Sequence, residues 1–99
     1  MTTADKLREA RDLISDPERW CQECYARDKN GAPVLYESLA AVRWCALGAC
    51  EKVGADVRIL WRAAERMKGF DPADINDSTN HPTVMKMFDL AIELAEKES

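Results

Sequence analysis

The chain has 99 residues, of which 46% are hydrophobic and 32% charged, and its formal net charge is −4, so it is predicted to fold as one small globular domain over residues 1–99. Acids and bases alternate along the chain, which gives no basic stripe and predicts that it does not bind nucleic acid. The longest strongly apolar run, residues 38–50, is too short to span a bilayer, so the sequence also predicts no membrane partner.

The first predicted helix covers residues 3–15. Its apolar residues recur at steps of three and four, charged residues occupy the remaining positions, and Thr3 is the predicted N-cap. Asp16-Pro17 ends this helix because proline lacks the N–H that would continue the hydrogen-bond ladder. A single helical turn is expected directly after Pro17.

A short β-hairpin or an ordered loop is predicted at about residues 24–36. Asn30-Gly31 suits a tight turn in which both central residues have positive φ. Pro33 cannot donate a backbone hydrogen bond, so its strand is expected at a sheet edge. The sequence leaves open which of the two forms this segment adopts.

The second predicted helix covers residues 38–53 and is apolar on nearly every side. Leu39 and Val42 begin a stripe that continues in steps of three and four to Val53. A helix that is apolar all round is normally buried at the centre of a domain. Gly48 keeps the helix thin, so that its neighbours can approach closely, and Gly54 is the predicted C-cap.

Two further helices complete the predicted fold. Asp56 is expected to cap a third helix that ends at Gly69, and Pro82 is expected to start a fourth helix that runs to about residue 96. Residues 70–81 between them are predicted to be a polar loop. The predicted fold is therefore mostly α, a compact bundle of about four helices around the central helix 38–53.

Several short motifs occur in a fixed order along the chain: Trp20-Cys21-Gln22, then Ala26-Arg27-Asp28, then Ala41-Val42-Arg43-Trp44-Cys45-Ala46-Leu47-Gly48-Ala49, then Asn76-Asp77 and His81. With these motifs the chain resembles an uncharacterised family, a domain of unknown function found in small bacterial and phage proteins. The resemblance covers nearly the whole chain. It implies a shared fold and supplies no activity. Cys24 and Cys50 depart from the family pattern, which has a small residue and an aliphatic one there.

The four cysteines raise two alternative functions, a structural zinc module and a small cysteine-dependent enzyme. Cys21 and Cys24 have the spacing of a zinc-binding pair, but Cys45 and Cys50 would point about 140° apart on a helix. The enzyme would use Cys45 with His81 and Asp77, or else Cys21, and its thiolate would need a helix N-terminus or a cationic neighbour. The predicted helix places Cys45 about two turns inside, whereas Cys21 lies nearer a possible helix start. Core packing is therefore favoured over both alternatives, and no metal, cofactor or catalytic residue is predicted.

The segment Asp74 to Asn80 alternates oxygen-bearing side chains, as a calcium loop does. Counted from Asp74, the position that should be glycine is Thr79, and the position that should be glutamate is Met85. The segment is therefore predicted to cap the following helix instead.

Arg43 is the only charged residue between Ser38 and Cys50, inside a helix that is predicted to be buried. A buried guanidinium must be paired or must line a wet cleft. Arg43 is therefore expected to pair with Asp77, Asp28 or Glu18, with Asp77 as first choice. The pair could be structural, or it could belong to a binding site. The predicted binding residues are Trp20, Cys21, Arg43, Trp44, Cys45, Asn76, Asp77 and His81.

These observations favour a non-enzymatic binding module whose partner is a protein or a small polar ligand. An acidic chain could bind a basic protein surface. The family resemblance suggests one version, a phage-type protein that inhibits a host defence or regulatory complex. The N-terminal residues have no apolar segment of the signal-peptide kind, so the predicted location is the cytoplasm, where the cysteines would stay reduced.

Overall fold

A computed structural model describes residues 2–69 and 71–98, without the side chain of residue 98. Within these residues the chain forms five α-helices, one 3₁₀ turn and three short strands. In chain order they are α1 (Thr3–Leu13), the 3₁₀ turn (Pro17–Arg19), β1 (Ala26–Arg27), β2 (Pro33–Val34), β3 (Arg43–Trp44), α2 (Ala46–Val53), α3 (Val57–Arg66), α4 (Pro72–Ser78) and α5 (His81–Glu98). The prediction that the chain is mostly helical is confirmed, and the small sheet is added to it.

The helix ends follow ordinary capping chemistry. Thr2, one residue before the predicted Thr3, caps α1: its hydroxyl accepts from the Asp5 N–H, and the Asp5 carboxylate accepts from the Thr2 N–H. The predicted caps Gly54 and Asp56 are confirmed, since Gly54 ends α2 in the left-handed region and the Asp56 side chain accepts from the first turn of α3.

The three strands form an antiparallel sheet in the order β2-β1-β3. Of the two forms predicted for residues 24–36 the chain adopts the hairpin, because Ala26 pairs with Val34. The predicted turn is wrong in one respect: Gly31 has φ +82, but Asn30 does not have positive φ. On its other side Ala26 pairs with Trp44, a strand that the sequence did not predict. The sheet therefore connects the hairpin to the start of α2.

The predicted helix over residues 38–53 is wrong in its first half. Residues 35–42 form successive turns, Arg43–Trp44 is β3, and α2 begins only at Ala46. The apolar spacing of Leu39 and Val42 had suggested a buried stripe, but both side chains are exposed. Their backbone is held instead by turns and by strand pairing, which a helix would have to break.

The predicted loop over residues 70–81 is also wrong, because Pro72–Ser78 is the helix α4. Asp71 is its N-cap and accepts from the Asp74 N–H at 2.7 Å, and Pro72 is its first residue. Asp followed by Pro is a common way to start a helix, so the signal was present in the sequence. The high content of Asn, Asp and Ser obscured it.

The centre of the fold is α5, not residues 38–53. It packs against both α1 and α3, and α1 also packs against α2. Most of the largest fully buried side chains come from α5, α1 and α3, and they include Phe88, Met87, Val84, Leu7 and Leu60. Within the described residues no helix is long and apolar enough to cross a membrane. The sheet and α4 lie beside α2, and the predicted site residues lie in this part of the fold.

Candidate functional site

Asn76 on α4 is the hub of the polar cluster, and its side chain is only 1% exposed. Its Oδ1 accepts from the indole N–H of Trp20 at 2.7 Å and from the Ala46 N–H at 3.0 Å. Its Nδ2 donates to the Cys21 carbonyl at 3.0 Å and to Oδ1 of Asp77 at 2.9 Å. The amide thus uses its full set of donors and acceptors. It joins α4 to α2 and to the segment that precedes the sheet.

Asp77 and Gln22 add further hydrogen bonds between α4 and the segment that precedes the sheet. Oδ1 of Asp77 accepts from the Glu23 N–H at 2.8 Å. The Gln22 amide donates to the Asn76 carbonyl at 3.0 Å and makes longer bonds to the carbonyls of Asp77 and Thr79. These bonds hold Glu23 in the left-handed region, with φ 71, which is uncommon for a residue with a side chain.

His81 and Trp20 lie at the other end of the polar cluster, where α5 begins. Nε2 of His81 lies 2.7 Å from the Ile14 carbonyl, and the ring packs edge-on against Trp20 with centroids 5.6 Å apart. The Cys21 N–H donates to the Trp44 carbonyl at 3.1 Å, and the Trp44 indole donates to the Tyr36 carbonyl at 2.9 Å. The structure therefore brings most of the predicted site residues together, but their side chains form hydrogen bonds to one another or to nearby backbone carbonyls.

Arg43 does not make the predicted ion pair. Its Nε donates to the backbone carbonyl of Glu18 at 2.9 Å. Among the described residues no carboxylate lies within 4 Å of its guanidinium, and Asp77 is engaged with Glu23 and Asn76. The prediction was wrong because it assumed a buried helix, whereas Arg43 is half-buried on β3 and can reach water.

Cys45 lies at the N-terminus of α2 rather than two turns inside a helix. It is the N-cap residue, and its Sγ accepts from the Gly48 N–H at 3.2 Å. Burial raises the pKa of the Cys45 thiol, and this outweighs the lowering by the N–H groups of Gly48 and Leu47. The thiol is therefore neutral at pH 7, which makes it a structural cap and a poor nucleophile.

The other cysteines give no sign of a metal centre. Burial raises the pKa of Cys21 to about 12, with smaller contributions from neighbouring cysteines, and burial likewise raises the pKa of Cys50 to about 12. The Cys21 thiol donates to the Cys24 carbonyl at 3.7 Å. Among the residues that the structure describes, no three His, Cys, Asp or Glu side chains are placed to hold a metal ion.

A small pocket opens beside the cluster at the N-terminus of α2. Its volume is about 200 Å³, and we call it the α2 pocket; it is lined by Glu23, Cys24, Tyr25, Cys45, Leu47, Ala73, Asn76 and Asp77. Glu23 and Asp77 are its charged residues, and its described lining contains no lysine or arginine. Both hydrogen bonds from described residues to the Asp77 carboxylate end on Oδ1, which leaves Oδ2 open to a further donor.

Large apolar side chains are exposed on the hairpin that carries Tyr25 and in the turns that follow it. Leu39 is fully exposed, Leu35 is 70% exposed, Tyr25 is 51% exposed and Val42 is 41% exposed. We call these four residues the apolar surface. Tyr25 also lines the α2 pocket and packs edge-on against Tyr36, with centroids 6.2 Å apart. The apolar surface and the α2 pocket therefore meet at Tyr25.

Sequence reasoning missed the apolar surface and the outer residues of the pocket. Leu39 and Val42 were assigned to the core because their spacing is helical. The predicted hairpin contained a signal for Tyr25 and Leu35, since residues that alternate with the buried Ala26 along a strand face outward. Glu23 carries no sequence signal, because only the tertiary bonds around Asp77 impose its backbone conformation.

A family model described as a family of unknown function (DUF6197) matches residues 1–94. No curated protein and no solved structure matches the chain significantly. The match confirms the expectation that the chain is a member of an uncharacterised domain family.

Proposed function

Because this chain belongs to DUF6197, a family of unknown function, its function must be inferred from its own geometry, and we propose that it is a non-enzymatic module that binds a partner protein through the apolar surface. The observation that carries the proposal is the exposure of Tyr25 and Leu35, which lie opposite each other where the β1–β2 pairing continues, together with Leu39 and Val42 in the turns that follow β2. Neighbouring exposed apolar side chains, such as Tyr25 and Leu35, are typical of interaction sites.

The backbone under the apolar surface supports this proposal. Leu35 directly follows Val34 in β2, and Val34 pairs with Ala26, the residue after Tyr25. The turns over residues 35–42 are held by backbone hydrogen bonds, and the Val42 N–H donates to the Arg27 carbonyl at 2.9 Å. A partner would thus meet a surface whose backbone is already ordered, which lowers the entropic cost of binding.

The internal satisfaction of the polar cluster favours binding over catalysis. Burial keeps Cys45 neutral, and the one histidine of the chain is bonded to the Ile14 carbonyl and packed on Trp20. A cysteine hydrolase needs an activated thiolate with a base beside it. The partner that we propose is a protein in the cytoplasm, and the family resemblance extends the proposal to an inhibitor of a host defence or regulatory complex.

Peptide selection tests the proposal. Short random peptides displayed on a carrier are selected against the wild-type chain, and the enriched peptides are measured by isothermal titration calorimetry. We expect the Leu35→Ser, Leu39→Ser double variant to bind them at least about tenfold more weakly, because each buried leucine contributes about 1.5–3 kcal/mol. Trp61→Ser is the matched control, since Trp61 is another exposed large side chain but lies on α3.

Two results would overturn the proposal. One is that the enriched peptides bind the leucine variant as tightly as the wild-type chain. The other is that the apolar surface is covered by a second copy of the chain, which sedimentation velocity would detect as a concentration-dependent dimer that the leucine variant abolishes. Circular dichroism of the variant gives the folding control, because Leu35 and Leu39 are exposed and contribute little to the core.

A further inference from the structure

We propose that the α2 pocket receives one lysine or arginine side chain of the partner segment that covers the apolar surface. This inference rests on the function proposed above and specifies the chemistry of the partner. It predicts that the recognised segment carries a basic residue close to apolar residues.

The charges of the pocket select a cation. Glu23 and Asp77 are the charged residues among its described lining, and Oδ2 of Asp77 is open to a further donor. Arg27 makes no ion pair with either carboxylate, since its guanidinium donates to the carbonyls of Gly31 at 2.8 Å and Gln22 at 3.0 Å. A charge-assisted hydrogen bond from a partner ammonium or guanidinium to Oδ2 is therefore available.

The size and the walls of the pocket select one side chain rather than a larger ligand. Its volume of about 200 Å³ is below the roughly 300–1,000 Å³ of sites that hold drug-sized molecules. Tyr25, Leu47 and Ala73 provide apolar walls, along which the methylene groups of a lysine or arginine can pack while the charged end reaches the carboxylates. The face of the Tyr25 ring can attract a cation.

Continuity at Tyr25 connects the pocket to the proposed partner. The same tyrosine lines the pocket, is 51% exposed and belongs to the apolar surface. A segment that packs on Leu35 and passes Tyr25 would therefore reach the pocket within a few residues. This places the basic residue next to the apolar ones in the partner sequence.

Small analogues of the two side chains test the pocket directly. Backbone amide resonances of the folded chain are followed by NMR during titration with n-butylammonium, which mimics lysine, and with n-propylguanidinium, which mimics arginine; 1-butanol is the neutral control. We expect saturable shifts at Glu23, Tyr25 and Cys45 with at least one cation and not with 1-butanol. We expect Asp77→Asn to weaken this binding about tenfold, whereas Asp12→Asn, an exposed acid on α1, leaves it unchanged.

Asp77→Asn retains a side-chain oxygen that can accept from the Glu23 N–H, so its fold is expected to persist. Glu23→Gln provides a second charge-removing variant, because the described residues make no hydrogen bond to the Glu23 side chain. Equal shifts with 1-butanol and the cations, or binding that neither variant weakens, would overturn the inference. An enriched peptide that carries a lysine should also lose about tenfold in affinity when norleucine replaces the lysine.

The two proposals fail in distinguishable ways. Peptide binding that requires Leu39 but is accompanied by no binding of either cation overturns the cation pocket alone. Cation binding that requires Asp77, without any peptide that depends on Leu39, overturns the proposed function alone.

Discussion

Asn76→Asp isolates what the hub of the polar cluster contributes to folding. The change keeps the shape of the side chain and one oxygen, which can still accept from the Trp20 indole and from the Ala46 N–H. It replaces the amide nitrogen, which donates to the Cys21 carbonyl and to Oδ1 of Asp77, with an oxygen. An oxygen there faces two other oxygens and has no hydrogen to donate when the carboxyl is ionised.

The cost at pH 7 has two sources. Two hydrogen bonds are lost, each of which contributes about 1 kcal/mol. A carboxylate is also buried beside the Asp77 carboxylate without a cation, and an uncompensated buried charge typically costs about 3–5 kcal/mol. Because the two contributions overlap, we expect the free energy of unfolding to fall by about 4 kcal/mol. Small domains have only about 5–15 kcal/mol in total, so this loss brings the variant close to unfolding.

The loss should depend on pH in one direction. Burial and the neighbouring carboxylate raise the folded-state pKa of the carboxyl that Asn76→Asp introduces above its unfolded value of about 3.9. Between these two values the folded state binds more protons than the unfolded state, so the stability of the variant falls as the pH rises. Lowering the pH restores a proton that can be donated to the Cys21 carbonyl, and the deficit relative to wild type should shrink.

Urea unfolding followed by tryptophan fluorescence, at pH 4.5 and pH 7, measures both effects. Asn80→Asp is the matched control: Asn80 is exposed, and its Oδ1 accepts from the N–H and hydroxyl of Thr83, which a carboxylate does equally well. We expect that control to stay within about 0.5 kcal/mol of wild type. A loss below about 1 kcal/mol for Asn76→Asp, or a deficit that does not change with pH, would refute this account of the hub.

Other predictions concern single contacts. Gly48→Ala should lower the free energy of unfolding, measured in urea, by about 2–4 kcal/mol. The new Cβ would fall on the backbone carbonyl oxygen of Tyr25, which accepts from the Cys45 N–H. A variant as stable as wild type would refute this close contact. Lys68, and not the predicted Gly69, adopts the left-handed conformation after α3, with φ 63. Lys68→Gly should therefore stabilise the fold by roughly 1 kcal/mol, measured as a rise in Tm. A lower Tm would contradict this. Stability should fall as the pH rises above 9.0, because Cys50 ionises near that ordinary value when unfolded but has a folded pKa of about 12; Cys50→Ala should reduce that slope, and an unchanged slope would contradict the assignment.

The sequence determined those parts of the fold that local chemistry controls. Asp56 and Gly54 were identified correctly because a cap depends on a side chain or a φ angle at one position. The turn between β1 and β2 was located because Gly31 favours the left-handed region, although the predicted positive φ at Asn30 is absent. The buried face of α5, with Val84 and Phe88, was identified because the helix is long enough to show its period clearly.

Only the tertiary structure decided the candidate sites. Residues 38–45 have an apolar spacing that suits a helix, but pairing of Arg43–Trp44 with β1 competes for the same backbone groups and prevails. That outcome exposes Leu39, places Cys45 at a helix end and directs Arg43 to the Glu18 carbonyl. The motifs around Trp20 and Asn76 were visible in the sequence as a possible site. Whether their polar atoms faced a ligand or one another depended on contacts between residues more than fifty positions apart, and such contacts leave no local pattern to read.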